Sequence, residues 1–94
     1  MIRILIERRL APGGEERLRQ AMRALRQEAM DRDGYVSGET HRDAADASHY
    51  VILSTWRSRE DWERWAGSPA RRAVEAQIAP MLAEPERITV LEPL

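Results

Sequence analysis

The first residues of the chain alternate in character with a period of two. Ile2, Ile4 and Ile6 occupy every second position of a β-branched segment. Alternation of this kind is typical of a strand with one buried face, so we predict a first strand that ends near Leu10. The run Pro12-Gly13-Gly14 then breaks the strand.

The period changes after the glycines. From position 15 onwards the apolar residues recur every three or four positions, at Leu18, Ala21, Met22, Leu25 and Ala29. This spacing places them on one face of an amphipathic helix. Glu15 and Glu16 favour the start of the helix because they lie at the positive end of its dipole. Gly34 is predicted to end it.

Two further strands are expected after this helix. Residues 35 to about 42 favour the second strand, and residues 43–48 form a polar loop. The segment 50–56 is a nearly continuous run of apolar and β-branched residues, which is typical of a strand buried on both faces. We therefore predict that this third strand is central in its sheet.

Two helix starts follow the third strand. Ser58, with Asp61 three residues later, matches a helix cap with an acidic residue in the first turn. Ser68 and Pro69 mark the second start, with serine as the cap and proline at the first helical position. Helical spacing continues through Ala70, Ala73, Val74, Gln77, Ile78 and Met81. Pro80 is expected to kink or restart this helix.

The order of elements, completed by a last strand at 88–91, is β-α-β-β-α-α-β. It predicts the α+β class, a ferredoxin-like four-stranded antiparallel sheet with its helices on one face, in a single domain spanning residues 1–94. The strand parity that turns Trp56 towards the helices turns Val51 and Leu53 away from them. An apolar row of that kind is expected to be covered, so we predict a homodimer in which a second copy packs on this face.

Composition excludes several classes of function. The chain has no cysteine, which rules out a disulfide framework, a thiolate metal site and a thiol nucleophile. Acidic residues interrupt the arginines throughout and the net charge is −1, so binding to nucleic acid is disfavoured. The apolar segment at the start of the chain is too short for a signal peptide or a membrane span, and charged residues interrupt it at Arg3 and Glu7. We therefore expect a cytoplasmic protein that does not interact with membranes.

All three tryptophans fall within residues 56–65, in a chain with no phenylalanine. Such a cluster marks either a pocket for a flat ligand or the centre of a small core. The stretch from Ser54 to Pro69 resembles the S-T-W-x-S-x-x-D-W-x-x-W-x-x-S-P motif of the antibiotic biosynthesis monooxygenase family. With the first strand and Pro12-Gly13, the Gly34-Tyr35 junction and Ser37-Gly38-Glu39, the resemblance spans essentially the whole chain.

The resemblance implies a dimeric α+β barrel and a chemistry without cofactors. In such oxygenation the deprotonated substrate reduces O₂ directly, so the protein supplies a dry pocket, a proton acceptor and positive charge. Our leading interpretation is a monooxygenase that acts with O₂ on an aromatic polyketide, a quinol or a similar phenolic, without metal, flavin or haem. The alternative is a non-catalytic, small-molecule-binding or stress-related barrel protein.

The predicted pocket lies between the sheet and the helices. The resemblance places Trp56 on its floor against the substrate, and Arg8 is expected near its mouth as a stabiliser of an enolate or superoxide; we assign both as catalytic. The assigned substrate-binding residues are Ile6, Tyr35, Trp62, Trp65 and Val74. Whether the last two tryptophans line a slot or only fill the core stays open. Arg71 and Arg72 are further candidate stabilisers of this kind, but both are expected on the solvated surface. Candidate bases, if buried, are Glu7, Glu39 and Glu75.

Haem is not an expected cofactor. The haem-degrading branch of the family uses an Asn on the first strand and an axial His on a later helix, and Arg8 and Glu75 fall at those positions here. A carboxylate is a poor replacement for an imidazole as a haem ligand. His41 and His49 lie elsewhere without metal-ligand spacing, so we expect both to be exposed and no metal site to form.

Overall fold

Seven regular elements follow the predicted order. The computed structural model describes all residues from 1 to 94. The elements are β1 (Ile2–Arg9), α1 (Glu15–Met30), β2 (Tyr35–Arg42), β3 (His49–Trp56), α2 (Arg59–Ala66), α3 (Pro69–Ile78) and β4 (Arg87–Leu91), with a 3-10 turn at Ala79–Met81 between the last two. The predicted helix does not continue regularly to Met81: α3 ends at Ile78 and the 3-10 turn contains Pro80, which agrees with an interruption of the helix by this proline. No helix is both long enough and apolar enough to cross a membrane.

The four strands form one antiparallel sheet in the order β2-β3-β1-β4. This arrangement confirms the ferredoxin-like α+β fold, with β3 inside the sheet as its apolar sequence predicted. Ile4 is opposite Ser54 on β3 and opposite Val90 on β4. The pairing of β1 with β4 brings the end of the chain beside its beginning, which matters for the site described below.

The core fills the space between the sheet and the helices. Every second residue of β1, from Ile2 to Arg8, is buried there. The helices contribute buried residues at Leu18, Met22, Leu25, Ala29, Trp62, Trp65 and Ile78. The opposite face of the sheet carries no helix, and its central side chains Leu5, Val51 and Leu53 are only half-buried.

The turns between the elements follow local sequence signals. Ser58 Oγ accepts a hydrogen bond from the Asp61 amide at 3.1 Å, and Ser68 Oγ accepts one from the Arg71 amide at 3.2 Å, so both predicted caps are confirmed. Helix α1 ends at Met30, four residues before the predicted Gly34, because its apolar repeat stops there. Gly34 instead has a φ of +86° and closes the turn into β2.

Substitution of Gly34 tests this turn, because the residue has a left-handed backbone conformation and its α-carbon lies close to the Asp61 side chain. A Cβ at this position would overlap the Asp61 side chain, whereas Gly13, with a φ of +85°, has nothing within 4 Å of the same atom. We expect Gly13→Ala to lower the free energy of unfolding by about 1 kcal/mol, from backbone strain alone. Gly34→Ala should lower it by about 3 kcal/mol, from strain and overlap together. Urea denaturation measures both, and equal losses would show that the Gly34–Asp61 contact is not formed.

Candidate functional site

A cavity lies between the sheet and the helices, at the position predicted for the pocket. It holds about 60 Å³ of free space, and about 520 Å³ when its open mouth is included. Nine of its sixteen lining residues are hydrophobic. Strands β1 and β3 form its floor, α1 and α2 its walls, and exposed Arg26 and Thr40 stand on either side of its mouth.

Trp56 is fixed on the floor of the cavity by three contacts. Its ring is 1% exposed and its Nε1 donates a hydrogen bond to Ser54 Oγ at 3.1 Å. The Tyr35 ring meets it edge to face at a centroid distance of 5.4 Å, and the Trp62 ring does so at 5.9 Å. Such arrangements are the preferred geometry of aromatic pairs. The ring is therefore held in one orientation next to empty space.

Gly38 makes room for the Tyr35 phenol at the edge of the cavity. A Cβ at Gly38 would come within 2.6 Å of Tyr35 Oη, so only glycine allows this approach. The Gly38 carbonyl also accepts a hydrogen bond from Arg26 Nη2 at 2.8 Å. Strand β2 and helix α1 are thereby joined at the mouth.

Two buried arginines form the polar part of the wall. Arg8 and Arg71 both line the cavity and each is 2% exposed. The expectation that Arg71 lies on the solvated surface is therefore wrong, and Arg8 lies deep in the wall rather than at the mouth. Exposed Arg72 fits its prediction. Arg71 lies over the face of Trp62, at 5.3 Å from the ring centroid, and this cation–π contact accompanies its burial.

Two glutamates behind the arginines balance their charge. Arg8 Nε donates to Glu86 Oε2 at 2.9 Å, and Arg71 contacts Glu75 Oε1 at 2.6 Å and Glu86 Oε1 at 3.5 Å. Neither glutamate lines the cavity; both face an outer depression on the other side of the arginines. One nitrogen is left without a partner: Arg8 Nη2, which carries two N–H groups, is buried and makes no hydrogen bond.

The pKa values of the two carboxyl groups are shifted in opposite directions. Burial and a hydrogen bond with Glu86 raise the pKa of Glu75, although Arg71 opposes the shift. Burial also disfavours the Glu86 carboxylate, but the hydrogen bond with Glu75 and the charges of Arg8 and Arg71 outweigh it and lower the pKa of Glu86. A proton shared by this pair therefore resides on Glu75.

Most of the residues assigned from the sequence meet at this one cavity. Its lining includes Ile6, Arg8, Tyr35, Trp56, Trp62 and Trp65. Val74 does not line it; its side chain is half-buried and packs against the core. Of the candidate bases, Glu39 stands exposed at the mouth, and Glu7 is on the other face of the sheet.

Glu86 is the charged residue of this site that the sequence analysis missed. It lies in the irregular segment just before β4, where no periodicity singles it out. A signal was nevertheless present, because an arginine at a buried strand position needs a carboxylate partner. The end of β1 that carries Arg8 lies beside the start of β4, so a search of the β4 flank would have found Glu86.

The two histidines lie away from the cavity. His41 is exposed as expected. The same expectation for His49 is wrong: its Nδ1 lies 3.0 Å from Asp43 Oδ2 and its Nε2 lies 3.2 Å from Glu7 Oε2, and its side chain is 17% exposed. The hydrogen bond with Asp43, assisted by Glu7, raises the pKa of His49. No group of three or more possible protein ligands is placed to hold a metal ion.

Comparison with known proteins shows what this arrangement is similar to. The fold of Rv0793 from Mycobacterium tuberculosis is similar at a TM-score of 0.90 and 26% identity, over 99% of this chain and 94% of that one. The structure of PA3566 from Pseudomonas aeruginosa is similar at a TM-score of 0.85 and 22% identity, over 99% and 93%. SnoaB, a cofactor-independent oxygenase from Streptomyces nogalater, is similar at a TM-score of 0.87 and 10% identity, over 98% and 91%.

Sequence comparison gives the family. No protein of curated function matches the chain. The sequence profile described as antibiotic biosynthesis monooxygenase matches residues 1–77, which include the whole sheet except β4, all of α1 and α2, and all of α3 except its last residue. The chain therefore belongs to the antibiotic biosynthesis monooxygenase family.

Proposed function

We propose that the protein is a cofactor-independent monooxygenase that uses O₂ to oxidise an aromatic polyketide, a quinol or a similar phenolic. The observation that carries the proposal is the largely apolar cavity beside Trp56, with the buried guanidinium of Arg8 in its wall. The description of SnoaB as a cofactor-independent oxygenase is consistent with it. At 10% identity, however, that likeness supports the fold alone.

The proposed chemistry needs three contributions from the protein. The substrate loses a proton to solvent and binds as an anion, its electron-rich carbon adds O₂, and the resulting peroxide anion takes a proton from solvent to give a hydroperoxide. Loss of water leaves a new carbonyl group, so one oxygen atom enters the product and the other leaves as water. Apolar walls keep this site dry, Trp56 orients the ring of the substrate, and Arg8 stabilises the negative charge that develops.

The size of the cavity sets a condition on the substrate. Its free space of about 60 Å³ is smaller than the roughly 150 Å³ of an engineered protein cavity that accepts benzene. Even a single-ring substrate must therefore extend through the mouth between α1 and β2, or widen it. The hydrogen bond from Arg26 to Gly38 spans this opening, so its release would widen the mouth.

A non-catalytic binding protein is the second candidate. It is favoured by the position of the carboxylates, since Glu75 and Glu86 lie behind the arginines and Glu39 lies at the exposed mouth. No carboxylate base faces the floor beside Trp56, so in the first candidate the substrate must be acidic enough to bind already ionised. Oxygen consumption separates the two candidates.

The second copy of the chain belongs to the proposed functional form. The sheet face opposite the helices carries Leu5, Val51 and Leu53 at its centre and Leu91, 41% exposed, on β4. An apolar row across three paired strands is a surface that soluble proteins normally cover. We infer that a second copy packs on this face and closes a two-sheet barrel.

Replacement of Trp56 tests its role on the cavity floor. Trp56→Phe keeps an apolar ring and should cost about 1–2 kcal/mol of unfolding free energy. Oxygen uptake with a panel of quinols and anthrones should fall at least about tenfold, because the smaller ring no longer orients the substrate. An oxygen electrode measures the rate, and denaturation measures the folded fraction.

The matched control for this test is Leu18→Val. Leu18 is fully buried in the same core but does not line the cavity. This change should cost about 1 kcal/mol and leave the turnover per folded molecule unchanged. If both variants lose activity only in proportion to their folded fraction, Trp56 is a packing residue and its catalytic assignment is wrong.

The dimer is tested by a charge at the centre of the open sheet face. Leu53→Glu places a carboxylate in the inferred interface, where it cannot be solvated, so light scattering should report a monomer or an insoluble protein. Met30→Glu is the control, since Met30 is 55% exposed at the end of α1 and away from that face. A wild-type protein that is monomeric at micromolar concentration would contradict the inferred assembly.

A further inference from the structure

The unpartnered nitrogen of Arg8 is the feature of the cavity that calls for a ligand. Arg8 uses Nε to bind Glu86, and its Nη2 is buried with no hydrogen-bond partner. A buried donor without a partner costs free energy, and one on a charged group costs more. Since Arg8 lines the cavity, a molecule bound there can supply the missing acceptor.

The charges around the cavity favour an acceptor that is itself negative. Arg8 and Arg71 contribute two positive charges, and Glu86 neutralises one of them. Glu75 is shifted towards its neutral form by burial and by its hydrogen bond with Glu86. When Glu75 is protonated, this group of four side chains carries a net charge of about +1. A ligand with a single negative charge restores the balance.

The walls of the cavity specify the rest of the ligand. Apart from the charged and polar residues, they are made of the rings of Trp56, Trp62 and Tyr35 and of aliphatic side chains. A flat ring fits such surfaces, and the small free volume leaves no space for hydration of a second charge. The ligand class is therefore a flat ring that carries one oxyanion, whether a phenolate, an enolate or a carboxylate.

We propose that the cavity selects flat-ring ligands with one oxyanion, which Arg8 Nη2 binds, and that binding is coupled to uptake of a proton by the Glu75–Glu86 pair. The inference rests on the proposed function in that it concerns the same cavity and gives its substrate class. It does not require that the ligand react with O₂.

The proton uptake follows from the position of the pair. Glu75 and Glu86 lie beside two arginines, Arg71 of α3 and Arg8 of β1, whose charges stabilise the ionised carboxylates. An anion bound to these arginines offsets their charge, so the ionised carboxylates are stabilised less. The complex therefore binds more protons than the free protein, and affinity for the anion must fall as pH rises. The affinity for the anion begins to fall at a pH above the usual pKa range of a glutamate, because the pKa of Glu75 is already raised in the free protein.

Matched pairs of small ligands test the charge preference. Benzoate and benzamide have nearly the same shape and differ in charge. Pentafluorophenolate and its methyl ether also differ in charge, and the neutral ether is larger by one methyl group. Quenching of tryptophan fluorescence should show that each anion binds at least about tenfold more tightly than its neutral partner. The two pairs distinguish a carboxylate from a phenolate as the preferred oxyanion. Equal affinities within both pairs would overturn the proposal.

Calorimetry tests the coupled proton. Titration of the wild type with benzoate in two buffers of different ionisation enthalpy should show proton uptake, and the affinity should decrease as the pH rises above the usual pKa range of a glutamate. Glu75→Gln keeps an amide oxygen for Arg71 and has no proton to gain. In this variant the benzoate affinity should lose its pH dependence and the uptake should vanish. A wild-type affinity that is independent of pH, or an unchanged uptake in Glu75→Gln, would contradict the coupling.

Two arginine variants localise the anion. Arg8→Gln should remove the preference for benzoate over benzamide, whereas Arg72→Gln, an exposed neighbour on α3, should retain it. If Arg8→Gln does not fold, the ligand pairs and Glu75→Gln still decide the outcome.

Anion preference without oxygen uptake by any substrate would refute the oxygenase but not this inference. Oxygen uptake with neutral ligands preferred would refute this inference but not the oxygenase.

Discussion

The burial of Arg8 is the constraint on which the rest of the site depends. An ionised group inside a protein must be paired and hydrogen-bonded, because its desolvation alone is prohibitive. The Arg8 guanidinium meets this demand through Glu86, which is remote in sequence and reaches it only when β4 pairs with β1. Arg71 on α3 forms ion pairs with both Glu86 and Glu75, so this helix belongs to the same charged group. The two ends of the chain and the last helix are thereby tied to one wall of the cavity.

The aromatic residues provide the other half of this arrangement. Trp56 is held by its hydrogen bond to Ser54 and by edge-to-face contacts with the Tyr35 and Trp62 rings. Arg71 lies on the face of Trp62, so the aromatic group and the charged group share a contact. A change in either group therefore reaches the other through packed side chains. We expect the cavity to respond as one unit to a ligand, since close-packed interiors transmit displacement.

The sequence predicted the fold and the position of the cavity because both follow from local periodicity. The alternation of β1 alone turned Arg8 towards the core, and the serine caps fixed where α2 and α3 begin. The error at Arg71 came from judging the residue by its type. Arg71 precedes Ile78 by seven residues, which places both on the same face of α3, and this spacing indicated burial. Glu86 and the half-buried state of His49 depend on contacts between distant segments, which no local pattern shows.

The pairing of Arg8 with Glu86 also explains why the polar wall of this cavity differs from a haem site. By resemblance, the haem-degrading branch of the family has Asn and an axial His at the positions of Arg8 and Glu75. In this chain Glu75 contacts Arg71 and faces the outer depression, so it does not approach the cavity floor as an axial ligand must. The two positions instead belong to one charged group, in which Arg8 lines the cavity and its Nη2 is buried without a hydrogen-bond partner. In our proposal the donors of this wall bind an organic anion.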